Sequence, residues 1–176
     1  MALNGTTEIK GLAELQRALD ALPANIEKNC LRGALRAGQK VIATIAKRNA
    51  PEALPTEINA RLYGSYAGAL RDSIRIVTSA KNGKITAIIK AGNKKAYYAH
   101  WVEYGTAAHK ITSVNGKALS FGGAARMVIN HPGARPKPFM RPALANGTRA
   151  ALDQFANYMR DRITKEQAKV AGPDNF

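Results

Sequence analysis

The sequence predicts an α+β fold: N-terminal helices and a C-terminal helix packed on a small antiparallel sheet with a projecting β-hairpin. Three observations predict it. Apolar residues recur at gaps of three and four at both ends of the chain, they alternate with period two in the middle, and two Asn-Gly pairs sit between alternating stretches. With 176 residues and 45% apolar content, the chain is long enough to bury one real core. We therefore expect a single α+β domain over residues 1–165 and a flexible C-terminal tail over 166–176.

The elements follow in order. Leu12, Leu15, Leu19 and Leu22 predict a short amphipathic helix that Pro23 interrupts. From Ile26, one stripe of Cys30, Ala34, Ala37, Val41 and Ile45 runs beside another of Leu31, Leu35, Gly38 and Ile42, predicting a longer helix. Gly33, Ala34, Ala37 and Gly38 keep its middle slim, so a second helix could approach closely from this subunit or from a neighbour. Amphipathic helices mostly bury their stripe internally, so the core reading comes first. Asn49-Ala-Pro51 ends the helix, and Glu52 to Gly68 reads as a long connection holding Tyr63 and Tyr66. Residues 74–78 and 85–90 alternate on either side of Lys81-Asn-Gly-Lys84, a hairpin signal. Tyr97, Trp101 and Tyr104 then share a helical face, with Gly105 as its C-terminal cap. Those aromatics could stack on bases, but at helical spacing core burial is the simpler expectation. Asn115-Gly116 predicts a hairpin of Lys110–Val114 with Lys117–Phe121, and Met127–Ile129 a further strand, for a sheet of four or five strands. Between His131 and Leu144, four prolines set a stiff extended path that opens into a helix at Pro142. That helix carries Leu144, Thr148, Leu152, Phe155, Met159 and Ile163, and the stripe is lost from Lys165, where a frayed tail is expected.

Charge is lopsided as well as large. The net formal charge is +15, and between Ser73 and Arg149 there are thirteen Lys or Arg against one acid, Glu103. A field of that sign attracts nucleic acid, anionic protein surfaces or acidic lipid, and can also serve solubility alone. No run of about 18 apolar residues predicts a membrane span, and the N-terminus lacks the order of a signal peptide, so a cytosolic chain is expected. Cys30 stands alone, which leaves no internal disulfide and reads as a buried small hydrophobe.

Signals for chemistry are sparse. His100, His109 and His131 fall in three different contexts without zinc-like spacing, so no metal and no cofactor is expected. Gly122-Gly123 is too short for a phosphate loop and reads as a strand end or bulge. His100 and Glu103 lie one helical turn apart and could form an acid and base pair. With no nucleophile or second carboxylate converging on them, a structural role is expected and no catalytic residue is assigned.

Four blocks carry a resemblance: Ala50-Pro51; Gly68-Ala-Leu-Arg-Asp-Ser-Ile74; Tyr98-Ala-His-Trp-Val-Glu-Tyr-Gly-Thr106; and Pro136-Lys-Pro-Phe-Met-Arg-Pro-Ala143. In that order they resemble the neck or tail-completion proteins of long-tailed bacteriophages, the gene-product-ten-like family of lambdoid siphophages. The resemblance implies a non-enzymatic virion protein of the head–tail joint, a hexameric or dodecameric ring around the channel for double-stranded DNA. It further implies a head connector or head-closure protein on one side, a tail terminator or tail tube protein on the other, assembly in the host cytoplasm, and no membrane. Two departures are visible: the connection between Pro51 and Gly68 and the region Ala107–His131 are both longer than the family's usual pattern. On this reading Lys90, Lys94, Lys95, Arg135, Lys137 and Arg141 are expected to contact DNA or an acidic partner without reading sequence. Gly33, Ala37, Tyr63, Tyr66 and Phe139 are expected at subunit interfaces. The main rival is a free, non-specific nucleic-acid-binding protein outside any virion, marked by steep salt-dependent binding of the isolated subunit.

Overall fold

Helix α1 (Ala24–Asn49) forms where the sequence places its two apolar stripes, with Glu27 in the first turn and Lys47 and Arg48 in the last, the arrangement that suits a helix dipole. The computed structural model describes residues 17, 24–52, 56–81, 83–113, 119–121 and 124–170. The helix expected over Leu12–Leu22 and the Asn115-Gly116 turn lie outside those residues. After α1 come α2 (Glu57–Tyr63), α3 (Ala69–Ser73), β1 (Arg75–Lys81), β2 (Lys84–Lys90), a 3-10 turn (Lys94–Ala96) and α4 (Ala99–Tyr104). Strands β3 (His109–Thr112), β4 (Leu119–Phe121), β5 (Ala124–Arg126) and β6 (Val128–His131) lead to the long helix α5 (Met140–Val170). The α+β class is as expected.

The chain divides into two compact units. One comprises residues up to Val41, Ile76–Ile88 and Arg149 onward; the other comprises Ile42–Arg75 and Ile89–Thr148. In the first, Cys30, Ala34, Met159 and Ile163 make the buried cluster, with Ile26, Leu31 and Phe155 packed against it. The slim middle of α1 is used within the chain. A Cβ added at Gly38 would lie 2.7 Å from the carbonyl oxygen of Ala151, and one at Gly33 would run into the Tyr158 ring, so both glycines let α5 come close. Gln39 Nε2 donates to the Ala87 carbonyl of β2 at 3.2 Å, tying the hairpin to α1. Cys30 is free and fully buried, as its spacing implied.

In the second unit Leu70, Ile74, Ala96, Ala99, Phe139 and Ala143 are buried. Ser73 is the local rivet: its Oγ donates to the Leu70 carbonyl at 2.7 Å and accepts from Gly92 N–H at 2.9 Å. The Gly68–Ile74 block is thus a helical turn, α3, that delivers Ile74 to the start of β1. On α5 the buried positions at the start are Ala143, Gly147 and Ala151. Gly147 lies against Ile42 and Ile45, and Leu144 is half exposed, so at the start of α5 the buried stripe sits one position before the expected one, whereas Met159 and Ile163 further on are buried as expected. Small residues win there because they allow closer backbone approach.

Four further expectations need correcting. Among the described residues the strands form three two-stranded ribbons, β1–β2, β3–β6 and β4–β5, where one sheet of four or five strands was expected. The β3 partner is β6, with His109 opposite His131 and Thr112 opposite Val128, and not the segment before Phe121. Ladder β4–β5 continues the same excursion, pairing Leu119 with Arg126 and Phe121 with Ala124. The connection after Pro51 contains α2, started by Thr56 Oγ1 accepting from Asn59 N–H at 3.3 Å and ended at Gly64. Helix α5 runs past Lys165 to Val170, with Glu166 buried and paired to Arg162 at 3.0 Å and Lys169 at 3.2 Å.

Candidate functional site

The feature that organises the second unit is Glu103. Helix α4 turns its carboxylate inward, where it is 5% exposed, and the proline-rich segment delivers the start of α5 directly onto it. One carboxylate oxygen accepts from Phe139 N–H at 2.7 Å and Met140 N–H at 2.9 Å; the other accepts from Arg141 N–H at 3.1 Å. Arg141 adds its side chain, Nε to the carboxylate at 3.1 Å and Nη2 to the Glu103 carbonyl at 2.9 Å. A helix N-terminus has unsatisfied N–H groups and a partial positive charge, so a carboxylate from another element caps it well. Burial pushes the Glu103 carboxyl up, but the N–H groups of Met140, Phe139 and Arg141 and the guanidinium hold it below the usual carboxylate range.

The segment before α5 is stitched to α4 by backbone bonds. Thr106 and Ala134 exchange N–H···O bonds at 3.0 and 3.1 Å, and Lys137 N–H donates to Val102 at 2.8 Å. Gly105 closes α4 with φ 74°, and a Cβ there would stand 2.5 Å from the Ala134 carbonyl oxygen, so only glycine fits. The prolines and this ladder keep Arg135 and Lys137 outward and exposed.

Between these parts lies an apolar groove of about 340 Å³, lined by Pro51, Leu70, Tyr98, Trp101 and Val102 together with polar residues that include Arg135 and Lys137. Burial raises the Tyr98 phenol above its ordinary range, with Tyr97 adding to the effect. Outside the groove an aromatic run continues: Tyr97 packs on Tyr63 at 4.7 Å and edge-on to Trp101 at 5.6 Å. Trp101 is 45% exposed and Tyr104 68% exposed, so the aromatics of α4 are not core. The core expectation fails because α4 is a single short turn whose inward positions are taken by Ala99 and Glu103. A surface that holds large aromatics beside fixed cations can grip a partner chain.

The chain matches the model of the HK97-gp10-like family, described as a bacteriophage tail component, over residues 13–105, more than half of its length. The chain belongs to that family. No curated protein and no solved structure matches it. The family is one of structural components of the phage tail. Ala50-Pro51 and Gly68–Ile74 lie within the matched residues, Tyr98–Thr106 lies within them but for Thr106, and Pro136–Ala143 lies beyond them.

The other residues singled out in this tail component fall as follows. Lys90 ends β2, Lys94 and Lys95 lie exposed in the 3-10 turn, and Lys95 Nζ stands 5.4 Å over the Tyr66 ring. Arg141 is engaged by Glu103, with its guanidinium 5.0 Å over Tyr104. Tyr63 and Tyr66 are partly exposed, and Tyr66 donates to Asp72 at 3.0 Å. That bond, with Arg71 beside it, holds the Asp72 carboxyl below its ordinary range. Ala37 is half-buried and Phe139 is 1% exposed, its ring spent inside its own chain. No hydrogen bond joins His100 to Glu103 among the described residues; the Glu103 carboxylate is engaged by the start of α5. His109 and His131, unconnected by spacing, meet across β3 and β6 with rings 5.0 Å apart. Sequence reasoning missed the capping role of Glu103; its signal was an isolated acid in a long basic stretch ahead of a helix start.

Proposed function

We propose that this tail component is a non-enzymatic protein of the head–tail joint, which forms a closed ring of six or twelve subunits around the DNA channel. One ring face docks on the head connector or head-closure protein and the other meets the tail terminator or tail tube. Membership of a phage tail-component family carries the reading. The geometry supports it: α4 and the proline segment, locked by Glu103, present Trp101, Tyr104, Arg135 and Lys137 on a stiff frame. Such a frame costs little ordering entropy when a partner binds. Tyr63 and Tyr66 extend that face as subunit contacts, and Lys90, Lys94, Lys95, Arg135 and Lys137 face DNA or an acidic neighbour. Arg141 spends much of its charge on Glu103 and contributes less.

Gold-labelled antibody against the chain, applied to finished particles, tests the placement. Label is expected at the boundary between head and tail; label along the tail shaft, or none on particles, contradicts the joint.

A further inference from the structure

Lys28, Arg32, Arg36 and Lys40 follow one another on α1 at steps of four, and all four are exposed. A step of four returns to nearly the same side of the helix about 6 Å further on, so the four cations form one ridge about 18 Å long. The ridge lies two residues, or about 200° of rotation, from buried Cys30 and Ala34. Like charges at this spacing repel and weaken the free helix. Among the described residues no ion pair engages Lys28, Arg32 or Arg36. Helix α5 of the same unit solves the same problem differently: its exposed face interleaves signs, and Glu166 pairs with Arg162 and Lys169. On α1 six basic residues stand against Glu27 alone.

What covers the ridge is decided by what accompanies the charge. From Ile26 on, where burial is described, the exposed positions of α1 are Lys28, Asn29, Arg32, Arg36, Lys40, Thr44, Lys47, Arg48 and Asn49, none of them apolar. Protein interfaces are centred on apolar and aromatic side chains, as on the α4 face, whereas phosphate contacts need none. Along about 18 Å of axis, double-stranded DNA presents about ten negative charges.

We propose that the Lys28–Lys40 ridge of α1 is a contact surface for the phosphate backbone of double-stranded DNA, without sequence preference. This rests on the joint reading only for where in the particle the DNA is met. The test is fluorescence anisotropy of the full chain with a short mixed-sequence duplex across a salt series. Wild type is expected to bind with an affinity that falls as salt rises, an outcome shared with the free nucleic-acid-binding rival, from which the labelled particles separate it. The double variant Arg32→Gln/Arg36→Gln is expected to flatten the slope of log K against log salt by about 2 and to weaken binding roughly tenfold to a hundredfold near 0.1 M salt. Arg32→Lys/Arg36→Lys is expected to keep the slope, and an unchanged thermal midpoint shows that all three fold. Wild type that fails to bind at about 0.05 M salt, or a Gln variant with an unchanged slope, overturns the proposal. So does a Gln variant that binds DNA normally but no longer binds poly-glutamate, which moves the ridge to an acidic protein. None of these failures bears on particle placement, which the labelled particles read separately.

Discussion

At the residue scale, Glu103 joins capping, charge and chain path in one side chain. Replacing it with Gln keeps one acceptor oxygen but turns an amide NH2 toward backbone N–H groups in a buried place. Glu103→Gln is therefore expected to cost about 2–4 kcal/mol, read from the denaturant midpoint at neutral pH. Its carboxyl titrates lower in the folded chain than in the unfolded one. The stability it contributes is thus complete above the ordinary carboxylate range and is lost as pH falls through that range toward its lowered value. Wild type is expected to lose stability on acidification more steeply than Glu103→Gln; parallel pH profiles would show that the carboxylate is not held as described. The sequence marked Glu103 as the one acid in a basic stretch and named its close neighbour His100. The true partners begin at Phe139, 36 residues on, and no local spacing encodes that.

At the element scale, the motifs with local chemistry were legible and those made by distant packing were not. The α4 end at Gly105, the Lys84 start of β2 and the start of α5 near Pro142 follow from turn, cap and proline rules. Helix α2 was legible too, through Thr56 before Glu57 and Gly64 after Tyr63, but the length of the connection hid it. The β3–β6 register was not, because His109 and His131 are brought opposite each other by the excursion as a whole. The buried Ala143, Gly147 and Ala151 stripe escaped because small residues carry little apolar signal and bury by close approach. Gly105 tests how tightly α4 and the proline segment are coupled. Gly105→Ala, with positive φ and a Cβ against the Ala134 carbonyl, is expected to destabilise by about 1–3 kcal/mol. A thermal midpoint within about a degree of wild type would contradict that coupling.

At the scale of the whole molecule, each unit carries a charged surface of its own kind. Helix α1 exposes a row of cations in the first unit, and in the second α4 and the proline segment expose Trp101 and Tyr104 beside Arg135, Lys137 and Arg141. The bulk field and the α+β class could be read from composition and periodicity, and the family from ordered blocks. The division of strands into three ribbons could not, since pairing partners are chosen by tertiary contacts. The most direct measurement of the joint itself is electron microscopy of particles from a phage or prophage in which this gene is interrupted. Finished tails lying apart from heads are expected, with attachment restored by the intact gene; particles with heads and tails attached would contradict a place at the joint.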